Sequence, residues 1–370
     1  MHEKSVKMEN QISETNQNEI VCKQCAAKLR YKPGTTMLVC DFCGFENEIE
    51  IKSEPVEELN FEEWLAKAEQ GDGTVEVHAV LCNACGAEIS MPENVVSDNC
   101  PFCGNHLVIT AESHKKLLKP KSLLPFKIDQ KTALSAYEKW LRKLWWAPPG
   151  LKQFARISEK INGIYIPYWT YDSDTHTKYT GKRGDDYTET ERYIDDDGKS
   201  QTRTVTRTRW TAVKGAVDVW FDDVLVPASN ALPSKIIEKL EPWDVKELIP
   251  FDGKFLSGFR TESYQVTVKD GFDRAKNKME PVIRTQIIKQ IGGDRQTIST
   301  MNTDYANITF KHILLPLWIS AYKYKNKSFR FLINARTGEV SGERPYCWWK
   351  IALAILAAIG ILVLLFYLVK

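Results

Sequence analysis

Cys22-Lys23-Gln24-Cys25 and Cys40-Asp41-Phe42-Cys43 are echoed 60 residues later by Cys82-Asn83-Ala84-Cys85 and Cys100-Pro101-Phe102-Cys103. Each set reads C-x2-C-x14-C-x2-C, and together they use eight of the nine cysteines. Two cysteines spaced C-x2-C point inward from one tight turn, a knuckle. Two facing knuckles offer four thiolates at the corners of a tetrahedron, which Zn²⁺ favours at ~2.3 Å per Zn–S bond. Gly44 and Gly104 follow the last cysteine of each set, where a knuckle needs positive φ, and Phe42 and Phe102 occupy matching places. Lys28–Tyr31 and Glu88–Ser90 read as short strands leaving the first knuckles. So regular a repeat predicts two tandem zinc ribbons, with two structural Zn²⁺ held by Cys22, Cys25, Cys40 and Cys43 and by Cys82, Cys85, Cys100 and Cys103.

Disulfides are the competing reading. Met1–Ile20 is polar and lacks the apolar core of a signal peptide, and a reducing compartment favours metal. A rubredoxin-like iron site would use similar knuckles, and softness alone leaves it open. Four thiolates close the coordination shell, so a structural metal is expected rather than a catalytic one. His78 and His106 lie near the second set and are expected at the surface or beside the ligands.

The other strong feature is Ile351–Val369, 19 residues without a charge. At ~1.5 Å per residue this matches the ~30 Å hydrocarbon core of a bilayer. Trp348, Trp349 and Lys350 precede it and Tyr367 lies near its far end, residue types that favour the membrane interface. A buried core helix is the alternative, but the stretch is apolar all round. Lys311–Lys350 holds eight Lys or Arg against two Glu, with Lys370 beyond the span. The positive-inside rule then predicts a single-pass, tail-anchored protein of the cell (inner) membrane, with residues 1–350 in the cytoplasm and lipid as one partner. Cys347 offers a juxtamembrane thiol, open to acylation but more simply inert.

The formal charge is +2, unevenly spread: residues 1–113 carry 8 Lys or Arg against 20 Asp or Glu, net −12. Nucleic-acid affinity rests largely on neutralising phosphates, so this weighs against nucleic acid as the ribbons' partner and favours proteins with basic patches, or the chain's own basic half.

The expected fold class is α+β: two tandem ribbons, a β-rich α+β region of one or two lobes, and one C-terminal transmembrane helix. The divisions are 1–20 disordered, 21–50 ribbon one, 57–70 an acidic helix with Phe61, Trp64, Leu65 and Ala68 on one face and Gly71–Gly73 as its stop, 78–112 ribbon two, 120–230 and 231–345 the lobes, and 351–369 the span. Asp129 caps a helix expected to reach Trp146, with Ala133, Ala136, Tyr137, Trp140 and Leu144 on its apolar face. Thr202–Trp210 alternates strictly, Arg203, Val205, Arg207 and Arg209 facing one way, and Asp195–Gly198 turns it back on Tyr187–Tyr193 with Glu189 and Glu191 opposite. Ile164–Trp169 and Ile313–Trp318 share an apolar run ending in Pro-x-Trp, which suggests related lobes with each proline at a strand start or edge. Phe329–Asn334 and Glu339–Ser341 form a closing hairpin.

No catalytic motif stands out. Gly198-Lys199-Ser200 has Tyr193 where a phosphate loop needs glycine. His176 and His312 stand alone, and Asp222-Asp223 reads as a solvated strand end before it reads as a metal or acid–base pair.

Phe221–Ser229, Leu240–Asp244, Phe255–Tyr264, Gly292–Gln296, Lys311–Trp318 and Phe329–Pro345, followed by an apolar tail, resemble a family of bacterial membrane proteins with TFIIB-type zinc ribbons. That family often carries a label like primosomal protein N′ or superfamily II helicase. The resemblance covers roughly residues 80–365 and assigns its ligands to Cys82, Cys85, Cys100 and Cys103; the first ribbon is an additional copy. It implies association with SPFH-domain proteins and phage-shock-type envelope stress systems. The closing hairpin is also similar to the end of a PepSY-type module. The expected function is a non-enzymatic protein-docking adaptor at the membrane. The alternatives are a nucleic-acid-binding protein linked to replication or transcription, and an enzyme with a site between the lobes.

Overall fold

The computed structural model describes residues 20–51, 54–68, 74–90, 97–108, 113–149, 151, 161–194, 198–325 and 327–369. The expected disorder of 1–19, the glycine stop at 71–73 and most of the turn at 195–198 lie outside these residues.

β1 (Leu29–Tyr31), β2 (Met37–Cys40) and β3 (Glu46–Glu48) form a small antiparallel sheet in the first cysteine set. β4 (Leu59–Asn60), α1 (Phe61–Ala68), β5 (Thr74–Leu81), β6 (Glu88–Ser90), β7 (Ser97–Asn99), β8 (His106–Val108), β9 (Ser113–Leu118) and β10 (Ser122–Leu123) pass through the second. Then come α2 (Gln130–Lys143), the long β11 (Asn162–Ile194) and β12 (Ser200–Pro227), α3 (Ser234–Ile237), β13 (Ile249–Pro250), β14 (Arg260–Glu262) and α4 (Val268–Ile291). β15 (Arg295–Tyr324), β16 (Lys327–Asn334), β17 (Val340–Gly342) and α5 (Trp348–Val369) close the chain. Twelve strands share one sheet, with β15 and β11 adjacent at its centre.

The two Pro-x-Trp segments are each other's partners in that centre. Tyr165 stands opposite Pro316 and Pro167 opposite Leu314, antiparallel. The segments 120–230 and 231–345 therefore share a sheet. Neither proline is at a strand start or an edge strand, contrary to expectation. Pro167 falls where β14, paired at Ile164 and Tyr165, hands over to β12, whose last residue pairs with Tyr168. Pro316 falls where β10, paired at Ile313 and Leu314, hands over to β16, whose last residue pairs with Leu317. A residue with no N–H donor costs nothing at such a gap. Both proline carbonyls accept from the residue just past the C-terminal end of the second neighbour, Ala228 after β12 at 3.0 Å and Ala335 after β16 at 3.2 Å.

Alternation along β11 and β15 sends side chains to two faces. Tyr165, Leu314 and Trp318 pack with α2 and the first cysteine set, including Leu29, Tyr31, Leu38, Cys22 and Cys40. Ile164, Ile166, Ile313 and Leu315 pack on the other face with the second set, including Ile89, Phe102, Cys82 and Cys100. The two cysteine sets thus cover opposite faces of one sheet. A third cluster joins Phe61, Trp169, Tyr171 and Phe310 to the stripe Val268, Phe272, Ala275, Met279, Ile283, Ile287 and Ile291 of α4, a helix for which the sequence reading had no element.

Asp129 caps α2 by accepting from the Thr132 amide at 2.8 Å. The helix stops at Lys143, so Trp145 and Trp146, expected inside it, lie in the following loop. Pro148-Pro149 disfavours helical backbone just before it. The acidic helix is likewise shorter than 57–70: Leu59–Asn60 pairs with β15 first.

β15 leaves β11 at Gly184, and beyond it β11 and β12 continue alone to Ile194 opposite Ser200. This arm carries the arginine stripe in the expected register. Arg203 bonds Glu191 at 3.2 Å, and Arg207 bonds Glu189 at 3.0 Å and Glu191 as well.

The matched phenylalanines measure how differently the ribbons are used: Phe102 is 0% exposed and Phe42 is 84% exposed. Phe102→Ala is expected to cost about 3–5 kcal/mol, and Phe42→Ala to stay within about 0.5 kcal/mol of wild type, in denaturant unfolding of the detergent-solubilised chain.

Candidate metal centres and membrane span

The eight knuckle cysteines gather into two compact groups, each with its four Sγ atoms within 4.8 Å of one another. Cys22 lies 3.5 Å from Cys43, and Cys25 lies 3.5 Å from Cys40 and 3.6 Å from Cys43. In the second group Cys82 is 3.7 Å from Cys103 and Cys85 is 3.6 Å from Cys100. A tetrahedron with ~2.3 Å metal–sulfur bonds has edges of about 3.8 Å, whereas a disulfide needs ~2.05 Å. The donor set fits a closed tetrathiolate site, and all eight cysteines are free.

One backbone pattern builds all four knuckles. The amides of Ala26, Gly44, Gly86 and Gly104 donate to the carbonyls of Cys22, Cys40, Cys82 and Cys100 at 2.8–3.0 Å. These four residues have φ of 57°, 72°, 74° and 73°. Ala26 is the one of the four that is not glycine, in a region where a Cβ is strained.

Crowding makes the thiols poor company without a cation. In the second group the hydrogen bond with Cys100 pulls Cys85 down to about 5, and the same bond drives Cys100 far up. Burial pushes Cys103 up to about 11. One thiolate opposes the formation of the next, and a cation among the four sulfurs would offset that repulsion.

Both cysteine sets are held by one segment, Ser257–Gln265, which overlaps a stretch that carried the family resemblance. Ser257 accepts from the Tyr31 amide at 3.0 Å and its hydroxyl donates to Leu29 O at 2.6 Å. Gly258, at φ +85°, lies against Arg30, whose Cγ would stand 2.2 Å from an added Cβ. Further on, Thr261 and Glu262 pair with Ser90 and Ile89 of β6. The Ser263 amide donates to Glu88 O at 3.0 Å and Gln265 Nε2 to Gly86 O at 2.6 Å. Glu262 is buried, accepts from Ser229 at 2.7 Å, and is pushed up to about 8, chiefly by burial. Sequence spacing gave no sign of this clamp.

Asp222-Asp223 is more than a solvated strand end. With Asp172 it forms a third group within 4.8 Å. Lys311 already supplies a cation there, 2.7 Å from Asp223 and 2.9 Å from Glu58, and burial raises Asp172 to about 6. His312 is buried, bonded through Nδ1 to Leu118 O at 2.9 Å, and burial lowers it to about 4, so it stays neutral. His176 bonds Asp218 at 2.6 Å. The side chains of His78 and His106 are outside what the structure describes.

Within α5, the 21 residues Trp348–Leu368 include a stretch of mean hydropathy 3.0, none of it buried. It is long and apolar enough to cross a membrane, and a core helix would be covered. Trp348, Trp349 and Tyr367 are exposed. Lys350 turns back to donate to Trp145 O at 2.9 Å and Ala147 O at 3.0 Å. Cys347 is buried at 6% exposure, which fits an inert thiol.

YdjG of Bacillus subtilis (strain 168), itself described as uncharacterized, is similar to this chain: 29% identical over 238 residues, 64% of this chain and 66% of that protein. The chain thus matches just under two thirds of that relative's length. No family model and no solved structure matches.

Elemental analysis of the purified full chain is expected to find two metal ions. Cys22→Ser and Cys82→Ser should each remove one. Acidification should release both, because thiolates must be deprotonated to bind; a metal-free chain at neutral pH contradicts the assignment.

Proposed function

We propose that this chain is a single-pass membrane protein whose two ribbons each hold a structural Zn²⁺ and whose cytoplasmic head serves as a protein-docking adaptor. The observation that carries the reading is an uninterrupted, uncovered apolar helix joined to a head whose thiolate groups are closed. Cys22 and Cys40, and Cys82 and Cys100, are buried in the two cores, so each metal would brace the body. No open coordination position is left for a substrate. The basic run before the span supports a cytoplasmic head by the positive-inside rule. The protruding β11–β12 arm, with Tyr187, Tyr193, Ile194 and Trp210 exposed, is the natural docking surface. The resemblance to ribbon proteins associated with SPFH-domain partners points to such an assembly. Nucleic acid is the weaker reading, since Arg203 and Arg207 are already satisfied by Glu189 and Glu191.

The full chain should remain in the membrane pellet after carbonate washing. External protease on spheroplasts should leave the head intact, and lysis should expose it. Extraction by carbonate, or cleavage of the head from outside, would overturn the reading.

A further inference from the structure

The loop after α2 meets the start of the apolar helix. The Cys347 amide donates to Trp146 O at 2.8 Å, and Lys350 reaches the carbonyls of Trp145 and Ala147. Trp145 and Trp146 therefore stand level with the first turn of α5. Trp145 is 75% exposed and Trp146 37%, and Tyr346, at 60%, is exposed beside them. The loop cannot swing free, because Leu144, Ala147 and Leu151 are buried in the core and Tyr137 of α2 stacks on Phe331 at 3.8 Å.

Water is a poor environment for adjacent exposed tryptophans, and the glycerol–headgroup zone is a good one: it takes the ring and still offers partners to the indole N–H. The charge fits too. Arg142 and Lys143 end α2 on its exposed side, and Arg344 lies over the Tyr346 ring at 5.4 Å. Cations at this level face lipid phosphates.

We propose that the Trp145-Trp146 loop is a second membrane contact, seated among lipid headgroups beside the span, so that the head is fixed to the bilayer surface at two points. This rests on the reading of α5 as a membrane span. The partner is the lipid surface itself, continuous with the apolar face of the helix.

The test places a photocrosslinker in the full chain, reconstituted in phosphatidylethanolamine–phosphatidylglycerol nanodiscs, at one of three exposed positions. Trp145→p-benzoylphenylalanine reads the loop, Phe366→p-benzoylphenylalanine reads the span, and Ile194→p-benzoylphenylalanine reads the far end of the arm. Irradiation and mass spectrometry should find lipid adducts at 366 and 145 and none at 194. Adducts at 366 with none at 145 would overturn this inference and leave the span standing. No adduct at 366 would remove the span, and the inference with it. Adducts at all three positions would also overturn it, by making 145 no different from the remote arm.

Discussion

The structure depends on one short run of backbone pairing, Ser257–Gln265 against the two ribbons. Its first residues bond β1 on one side and its later residues pair with β6. Because β14 also lies parallel to the start of β11, the same segment ties both ribbons to the central sheet. Each ribbon then supplies apolar side chains to the face it covers. The two cysteine sets are thus walls of the protein's cores, where a metal bound by either set would brace them.

This placement alters what the acidic charge of residues 1–113 means. A separate docking head would present that charge freely. Here part of it is spent internally: Glu58 holds Lys311, and Glu57 bonds Lys121 at 2.8 Å. Outside α5, exposed apolar side chains include Tyr193, Ile194 and Trp210 on the arm and Phe42 on the outer knuckle of the first cysteine set. Contacts also run the other way, from the sheet through α2 and the Trp145-Trp146 loop to the first turn of α5.

Legibility followed locality. The knuckles could be read because two cysteines, followed in three of the four by a glycine, specify each one within a few residues. The arm's register was legible because alternation and a turn set it, and α2 because Asp129 caps it and its apolar face repeats. The Pro-x-Trp echo was visible, but its meaning was not: that the two copies pair depends on strands far apart in sequence, and only the pairing shows why each proline sits at a gap between neighbours. α4 was obscured by Pro281 and a mostly polar surface, although its buried stripe keeps helical spacing. The clamp at Ser257–Gln265 and the partnership of Trp146 with Cys347 are long-range backbone contacts with no local signature.

The central claim is that the two metal groups hold the body together and are not appended to it. Hydrogen exchange of the full chain in detergent, before and after metal removal by chelation, tests it most directly. The account predicts that chelation strips protection from the central amides of β11 and β15, around Ile164–Trp169 and Ile313–Trp318, as well as from the ribbons. Loss confined to residues 20–51 and 74–118, with the central strands still protected, would contradict it.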